Sequence, residues 1–283
     1  MEEVIKDVHQ ASNIVNDLNF LDGYDRIYYQ SNENLNELFK HFSVEGKDVL
    51  TVLGYSDHLF HSYYHGAKSV DAFDVNKLAK YYFYLRKWVM ECYDDYYPER
   101  DLFLSNNRYI FELLKNVSCK SEDELDAYLF WSLYIERVYP FDAFKLYYAS
   151  CGDKSRIDNV DGLKEIICSK NLNFRQEDLS GVVDKSKKYD IVIISNILEY
   201  YSEAPLKLAK CRDNLKDLVK DGGLVITSRL MEKSNSSYRE RERALFERYF
   251  DTFEFPSYVD NDMFSMEFSL GCAYQKRKVV NKK

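Results

Sequence analysis

The 283-residue sequence predicts an α/β protein, a doubly wound open sheet of about seven strands flanked by helices. Short apolar runs rich in β-branched residues, such as DVLTVL at 48–53 and DIVIIS at 190–195, read as buried strands. Strand and helix then alternate through residues 47–97, which calls for parallel strands joined by right-handed crossovers. A hydrophobic fraction of 46% beside a charged fraction of 30% is that of a chain that buries a core, so disorder over most of the length is excluded.

Residues 1–45 read as mostly helical, with apolar spacing in IVNDLNFL and LNELFKHF around a polar, tyrosine-rich YDRIYYQSNENL, and form an N-terminal lid. The α/β domain occupies 46–283. KDVLTVLG is its first strand, DHLFHSYYHGA a short helix stopped at Gly66, and KSVDAFDVN a second strand ending at Asp74. KLAKYYFYLRKWVMECYDDYY is a long amphipathic helix. From about 98 to 168 the alternation stops: DLFLSNNRYIFELLKN, SEDELDAYLFWSLYIERVY and FDAFKLYYAS carry helical periodicity and read as an insertion, the second opening with a capping box at Ser121 and Glu124. DGLKEIICSK is a helix, NLNFRQEDL the third strand and YDIVIISNILEYY the fourth. APLKLAKCRDNLKDLVKDGG reads as a helix closed by a glycine pair, LVITSRL as the fifth strand, and SYRERERALFERYF as a charged helix. FEFPSYV and MFSMEFSLGCAYQKR complete the sheet as an antiparallel hairpin at one edge.

A net charge of −8 argues against nucleic acid or anionic membrane as partner, because those surfaces reward lysine and arginine. The basic end QKRKVVNKK reads as a solvated terminus. No apolar run reaches membrane-spanning length, so integral membrane association is not expected. The cysteines at 92, 119, 151, 168, 211 and 272 are scattered without metal-ligand spacing, which fits free thiols in a cytoplasmic protein.

In a doubly wound sheet, ligands bind outside the carboxyl ends of the strands, so function is sought there. After strand one stand Gly54, Tyr55, Ser56 and Asp57, where the glycine admits close backbone approach and the helix start offers unpaired N–H groups. Strand two ends at Asp74, followed by Val75 and Asn76; Asp74 lies twenty positions beyond Gly54, where a carboxylate can accept from a ribose diol. Asp71 competes for that role but lies inside the strand, and Asp74 is equally placed to cap the next helix. Glu177 and Asp178 follow strand three, suited to an adenine amino group, and Ser195 and Asn196 follow strand four, ahead of ILEYY on the pocket floor. His58, His61 and His65 share one helix face; that spacing can hold a metal, but an aromatic packing face is the expectation and no metal is assigned.

VLTVLGYSDHLF, VDAFDVN, NLNFRQEDL, YDIVIISNILEYY and DGGLVITSRL stand in an order and spacing that resemble the class I S-adenosylmethionine-dependent methyltransferases, over residues 47–80 and 165–283. The resemblance implies a Rossmann-like methyltransferase fold, S-adenosylmethionine as cofactor, and contacts to it at Gly54, Asp74, Asp178 and Asn196. Where that family has Gly-x-Gly this chain has Gly-x-x-Asp. With YYQSNENL upstream and the helical insertion, the departure resembles the 3-amino-3-carboxypropyl transferases of betaine-lipid synthesis, in which a tyrosine-bearing N-terminal segment covers the cofactor. A nicotinamide dinucleotide would need the Gly-x-Gly-x-x-Gly approach to its pyrophosphate, which is absent, whereas a sulfonium nucleoside has no phosphate to cradle.

The reading that follows is a methyltransferase acting on a small-molecule acceptor. The alternatives are aminocarboxypropyl transfer from the same cofactor, and a non-catalytic protein that uses the fold to bind a partner. If the acceptor must lose a proton, Asp57, Glu199, Tyr28 and Tyr29 are the candidate bases. The insertion offers dimer contacts, so a homodimer is also expected.

Overall fold

The computed structural model describes residues 27–28, 33–93, 107–137, 144–145, 156–181, 186–201, 204–228, 236–257 and 269–277. Along the chain these are β1 (Ile27–Tyr28), α1 (Leu35–His41), β2 (Asp48–Val52), α2 (Asp57–Tyr64), β3 (Ser69–Asp74), α3 (Lys77–Cys92), α4 (Asn107–Leu114) and α5 (Glu122–Arg137). There follow β4 (Phe144–Lys145), α6 (Val160–Cys168), β5 (Asn173–Gln176), β6 (Tyr189–Ile193), a 3-10 turn (Ile197–Tyr201), α7 (Pro205–Leu218), β7 (Val219–Thr227), α8 (Ser236–Phe246), β8 (Phe250–Ser257) and β9 (Ser269–Lys276).

The main sheet has seven strands in the order β5-β3-β2-β6-β7-β9-β8, the first five parallel and β9 antiparallel to both its neighbours. This is the Rossmann-like order of the class I methyltransferase fold. The order reverses between β2 and β6, which puts the ligand crevice at their carboxyl ends.

Period-two alternation divides the core. Val49 and Leu53, Val70 and Ala72, Ile191 and Ile193 face the layer of α1, α2, α3 and α6. Leu50, Phe73, Val192 and Val225 face α7 and the Phe246–Phe250–Tyr274 aromatic group on the other side. The insertion helices α4 and α5 pack on α3, which explains why α3 is buried nearly all round. There Tyr81 stacks on Phe130 at 4.3 Å, Trp131 Nε1 donates to the Tyr81 carbonyl at 2.9 Å, and buried Lys87 pairs with buried Glu124 at 2.7 Å.

Four readings of the sequence are corrected. The glycine pair does not close a helix: α7 ends at Leu218, and Gly222 and Gly223 lie within β7. The register of β6 on β7 slips there, and a side chain on Gly223 would stand 2.7 Å from the Asp190 carbonyl and 2.8 Å from Val219 Cγ1, so a bulge that needs bare backbone has the sequence signature of a helix stop. Gly223→Ala is expected to destabilise by about 1–3 kcal/mol, the usual cost of overpacking, read as a shift in the urea midpoint without a change in slope.

Phe144–Lys145, helical by its periodicity, is a short strand paired in parallel with Ile27–Tyr28, which belongs by sequence to the polar, tyrosine-rich part of the lid. Cross-strand hydrogen bonds supplied from far along the chain override local periodicity in both. The capping box is half formed. Ser121 Oγ accepts the Glu124 N–H at 3.2 Å, but the Glu124 carboxylate takes the Lys120 N–H and Lys87 rather than reaching back to Ser121. Finally, β7 starts at Val219, several residues ahead of its expected start at Leu224.

Residues 1–26 and 29–32 of the expected lid, residues 98–106, 138–143 and 146–155 of the expected insertion, and residues 258–268 of the expected final hairpin lie outside the described residues. Among the described residues no helix is long and apolar enough to cross a membrane, and Cys92, Cys119, Cys168 and Cys211 are free thiols.

Candidate functional site

The carboxyl ends of β2, β3, β5 and β6 bring the predicted strand-end residues to one edge. Gly54 has φ +47°, and nothing lies within 4 Å of where its side chain would stand, so the turn both requires glycine and leaves space beside it. Its N–H donates to Asp74 Oδ2 at 2.8 Å across the β2–β3 gap. Asp74 Oδ1 accepts the Asn76 N–H at 2.9 Å, while Asn76 itself caps α3 through the Leu78 N–H at 3.0 Å. The capping role open to Asp74 therefore falls to Asn76, and Asp74 is left as a half-buried acceptor at the crevice. Burial pushes its carboxyl up to about 6 against the backbone donors from Asn76, Gly54 and Val75. Asp71, the competitor, is spent on Tyr189 Oη at 2.6 Å and Lys187 Nζ at 2.7 Å.

Glu177 is tied beside Asp74 by its N–H on the Asp74 carbonyl at 2.9 Å. Asp178 takes a hydrogen bond from Tyr201 Oη and one from the Ser180 N–H at 2.9 Å. Burial raises the Asp178 carboxyl, but these donors outweigh it and hold it below its usual range. In turn burial, with the Asp178 contact, pushes the Tyr201 phenol up, so Tyr201 stays a donor.

The remaining residues of the first loop turn inward. Tyr55 is buried, and Asp57 is 1% exposed, paired at 2.6 Å with an Arg86 guanidinium that α3 holds at 0% exposure. Arg86 also donates to the Tyr55 carbonyl and lies 4.5 Å from the Phe60 ring centre. Ser56 adopts φ +74° with its hydroxyl buried and unbonded. This clamp stands where a glycine-rich loop would leave bare backbone, so Gly54, Asp74 and Asp178 line the edge while the Tyr55–Asp57 stretch is filled by its own side chains.

Ser195, two residues past the end of β6, has φ +48°, its carbonyl held by Thr227 Oγ1 at 2.7 Å and the Ser228 N–H at 2.9 Å. Its hydroxyl donates to Glu33, which is buried and paired with His58 Nε2 at 2.8 Å. Asn196 is half-buried beside it, and Glu199 lies in the 3-10 turn with Oε2 shielded from solvent. Of the other candidate bases, Tyr28 belongs to β1 and Tyr29 lies outside the described residues. The histidine face packs on aromatics: His61 and His65 stack on Phe39 at 5.7 and 5.2 Å.

Sequence reasoning missed Glu33, Arg86 and Ser228, and had Tyr201 only as part of the ILEYY run. Ser228 immediately follows β7, so the strand-end rule applied once more would have found it. Nothing local marks Glu33 or Arg86.

No family model matches the chain, and no curated protein matches it. Solved structures do. The glycopeptide N-methyltransferase MtfA, complexed with S-adenosyl-L-homocysteine, matches at 10% identity and a TM-score of 0.47, covering 88% of this chain and 92% of that one. The N-methyltransferase NodS from Bradyrhizobium japonicum WM9 matches at 9% identity and a TM-score of 0.43, covering 87% and 93%. A ribosomal protein L11 methylase from Lactobacillus delbrueckii subsp. bulgaricus matches at 13% and 0.39, covering 87% and 77%. The fold assignment rests on the strand order itself.

Proposed function

We propose that this chain is an S-adenosylmethionine-dependent methyltransferase acting on a small-molecule acceptor. The observation that carries the reading is Asp74: a half-buried carboxylate at the end of β3, fixed by the Gly54 and Asn76 N–H groups, beside the open flank of Gly54. Ionised, it can accept from both hydroxyls of a ribose while Gly54 admits the nucleoside face. Glu177 and Asp178, one strand over, supply acceptors for an exocyclic amino group.

When bound, the cofactor supplies an electrophilic carbon on a sulfonium, and an acidic edge favours that positive charge. The chain's part is to hold the nucleoside at Asp74 and Asp178 and to align the acceptor beyond Ser195 and Asn196 for in-line attack. If the acceptor carries a proton to lose, Glu199, Tyr28 and Tyr29 are the groups we assign to it, since Asp57 is engaged by Arg86. A net charge of −8 supports a small acceptor over a nucleic acid.

Calorimetric titration with S-adenosylmethionine, followed by mass spectrometry of the nucleoside by-product after incubation with a small-molecule extract, tests this. Binding with S-adenosylhomocysteine as by-product is the expected result. Methylthioadenosine instead would assign aminocarboxypropyl transfer, and absence of binding would sink the cofactor reading in favour of a partner-binding protein on this fold.

A further inference from the structure

The crevice between β2 and β6 holds a carboxylate that the chain itself supplies. Glu33 is 3% exposed and accepts from donors on two separate elements, the Ser195 hydroxyl after β6 and His58 Nε2 in the first turn of α2, at 2.8 Å, while buried Ser228 just past β7 adds to the stabilisation of its ionised form. Burial raises its carboxyl, yet the charge His58 can carry and the hydrogen bonds outweigh that and hold it below its usual range.

Each donor is positioned without help from Glu33. The Ser195 backbone is pinned by Thr227 and Ser228, as described above. The His58 ring stacks against Tyr55 at 5.7 Å, and its carbonyl accepts from Ser62 Oγ at 2.7 Å. Glu33 itself immediately precedes the Asn34 cap of α1, which is anchored separately by buried Leu35, Leu38 and Phe39. A hydroxyl and an imidazole at hydrogen-bond distance, with a second hydroxyl just past the neighbouring strand, are a recognition set for a carboxylate.

We propose that Ser195, Ser228 and His58 form a carboxylate-binding site at the strand-order reversal, that Glu33 occupies it from within, and that a carboxylate-bearing ligand competes with Glu33 for it. The amino-acid end of a sulfonium cofactor is the ligand the crevice would present, a choice that rests on the function proposed above; the donor set does not depend on it. An internal competitor lowers the apparent affinity of such a ligand by the fraction of molecules in which the site is free.

The test uses Glu33→Ala in the full chain. Sodium formate, titrated against sodium chloride at equal ionic strength, is expected to raise the melting temperature of Glu33→Ala saturably and leave the unsubstituted protein unmoved. Adding Ser195→Ala should remove the effect. In parallel, the affinity ratio of S-adenosylhomocysteine to methylthioadenosine, which lacks the carboxylate, should rise about tenfold or more from the unsubstituted protein to Glu33→Ala, the size expected of a charge-assisted hydrogen-bond set. If Glu33→Ala does not fold, Glu33→Ser, short enough to leave the carboxylate position open, serves both measurements. Formate stabilisation with no nucleoside binding supports the site and overturns only the cofactor reading. No formate effect, or one that survives Ser195→Ala, overturns the proposal.

Discussion

Asp57→Ala is expected to lower the unfolding free energy by about 3–5 kcal/mol, because it strands a guanidinium in the core. Arg86 is 0% exposed and Asp57 1%, so the guanidinium has no solvent-facing edge to turn to when the carboxylate is lost. The Asp57→Leu, Arg86→Met double variant should recover most of that loss, since a hydrophobic pair avoids the desolvation that both charges incur. Urea unfolding of the unsubstituted protein, Asp57→Leu, Arg86→Met and the double variant forms the cycle. A single-variant cost below about 1 kcal/mol, the range of exposed pairs, would show that the clamp is solvated in solution. Arg86→Met also removes the donor to the Tyr55 carbonyl, so in that variant the loop after β2 should loosen and nucleoside affinity should fall with it.

The second large effect belongs to Asp74. Asp74→Asn is expected to weaken S-adenosylhomocysteine binding by at least about 100-fold, since two hydrogen bonds to a charged acceptor are worth about 1.5–3 kcal/mol each. Its pH dependence has a definite sign. The folded-state pKa of about 6 lies above the ordinary 3.8, so the folded chain holds this proton more tightly than the unfolded chain. Asp74 therefore contributes stability that is fully present below about pH 3.8 and is lost as pH rises through 6. Ligand binding runs the other way, because ribose hydroxyls donate to the ionised carboxylate. Affinity should climb up to about tenfold per pH unit below pH 6 and level off above 7, with proton release detected by calorimetry in buffers of different ionisation enthalpy. A flat affinity between pH 5 and 7 would remove Asp74 from the nucleoside site.

Much of this arrangement was legible because it follows from local rules. The apolar alternation of β2, β3 and β6 marks buried strands in any context, and the twenty-residue step from Gly54 to Asp74 is the length of one strand–helix–strand unit. The edge hairpin of β8 and β9 was equally readable from two runs at the end of the chain.

What stayed hidden depends on partners that only folding brings near. Arg86 sits in the run YYFYLRKWVM, where its spacing is that of any helical arginine; its burial is decided by Asp57, 29 residues earlier, and by the helices that cover α3. Gly222 and Gly223 read as a helix stop because glycine serves both a C-terminal cap and a bulge, and the Asp190 carbonyl 2.7 Å from the Gly223 side-chain position makes the difference.

By itself, then, the sequence determined the layer architecture, the edge of the sheet at which the proposed site lies, and the acidic residue at the end of β3, since each is encoded in periodicity and spacing over a few dozen residues. Only the tertiary structure decided which carboxylates are left for a ligand. It consumed Asp57 on Arg86, Asp71 on Tyr189 and Lys187, and brought Glu33 to Ser195 across 162 residues of chain. A buried charge takes whatever counter-charge or donor the packing places beside it, and that pairing is a property of the fold.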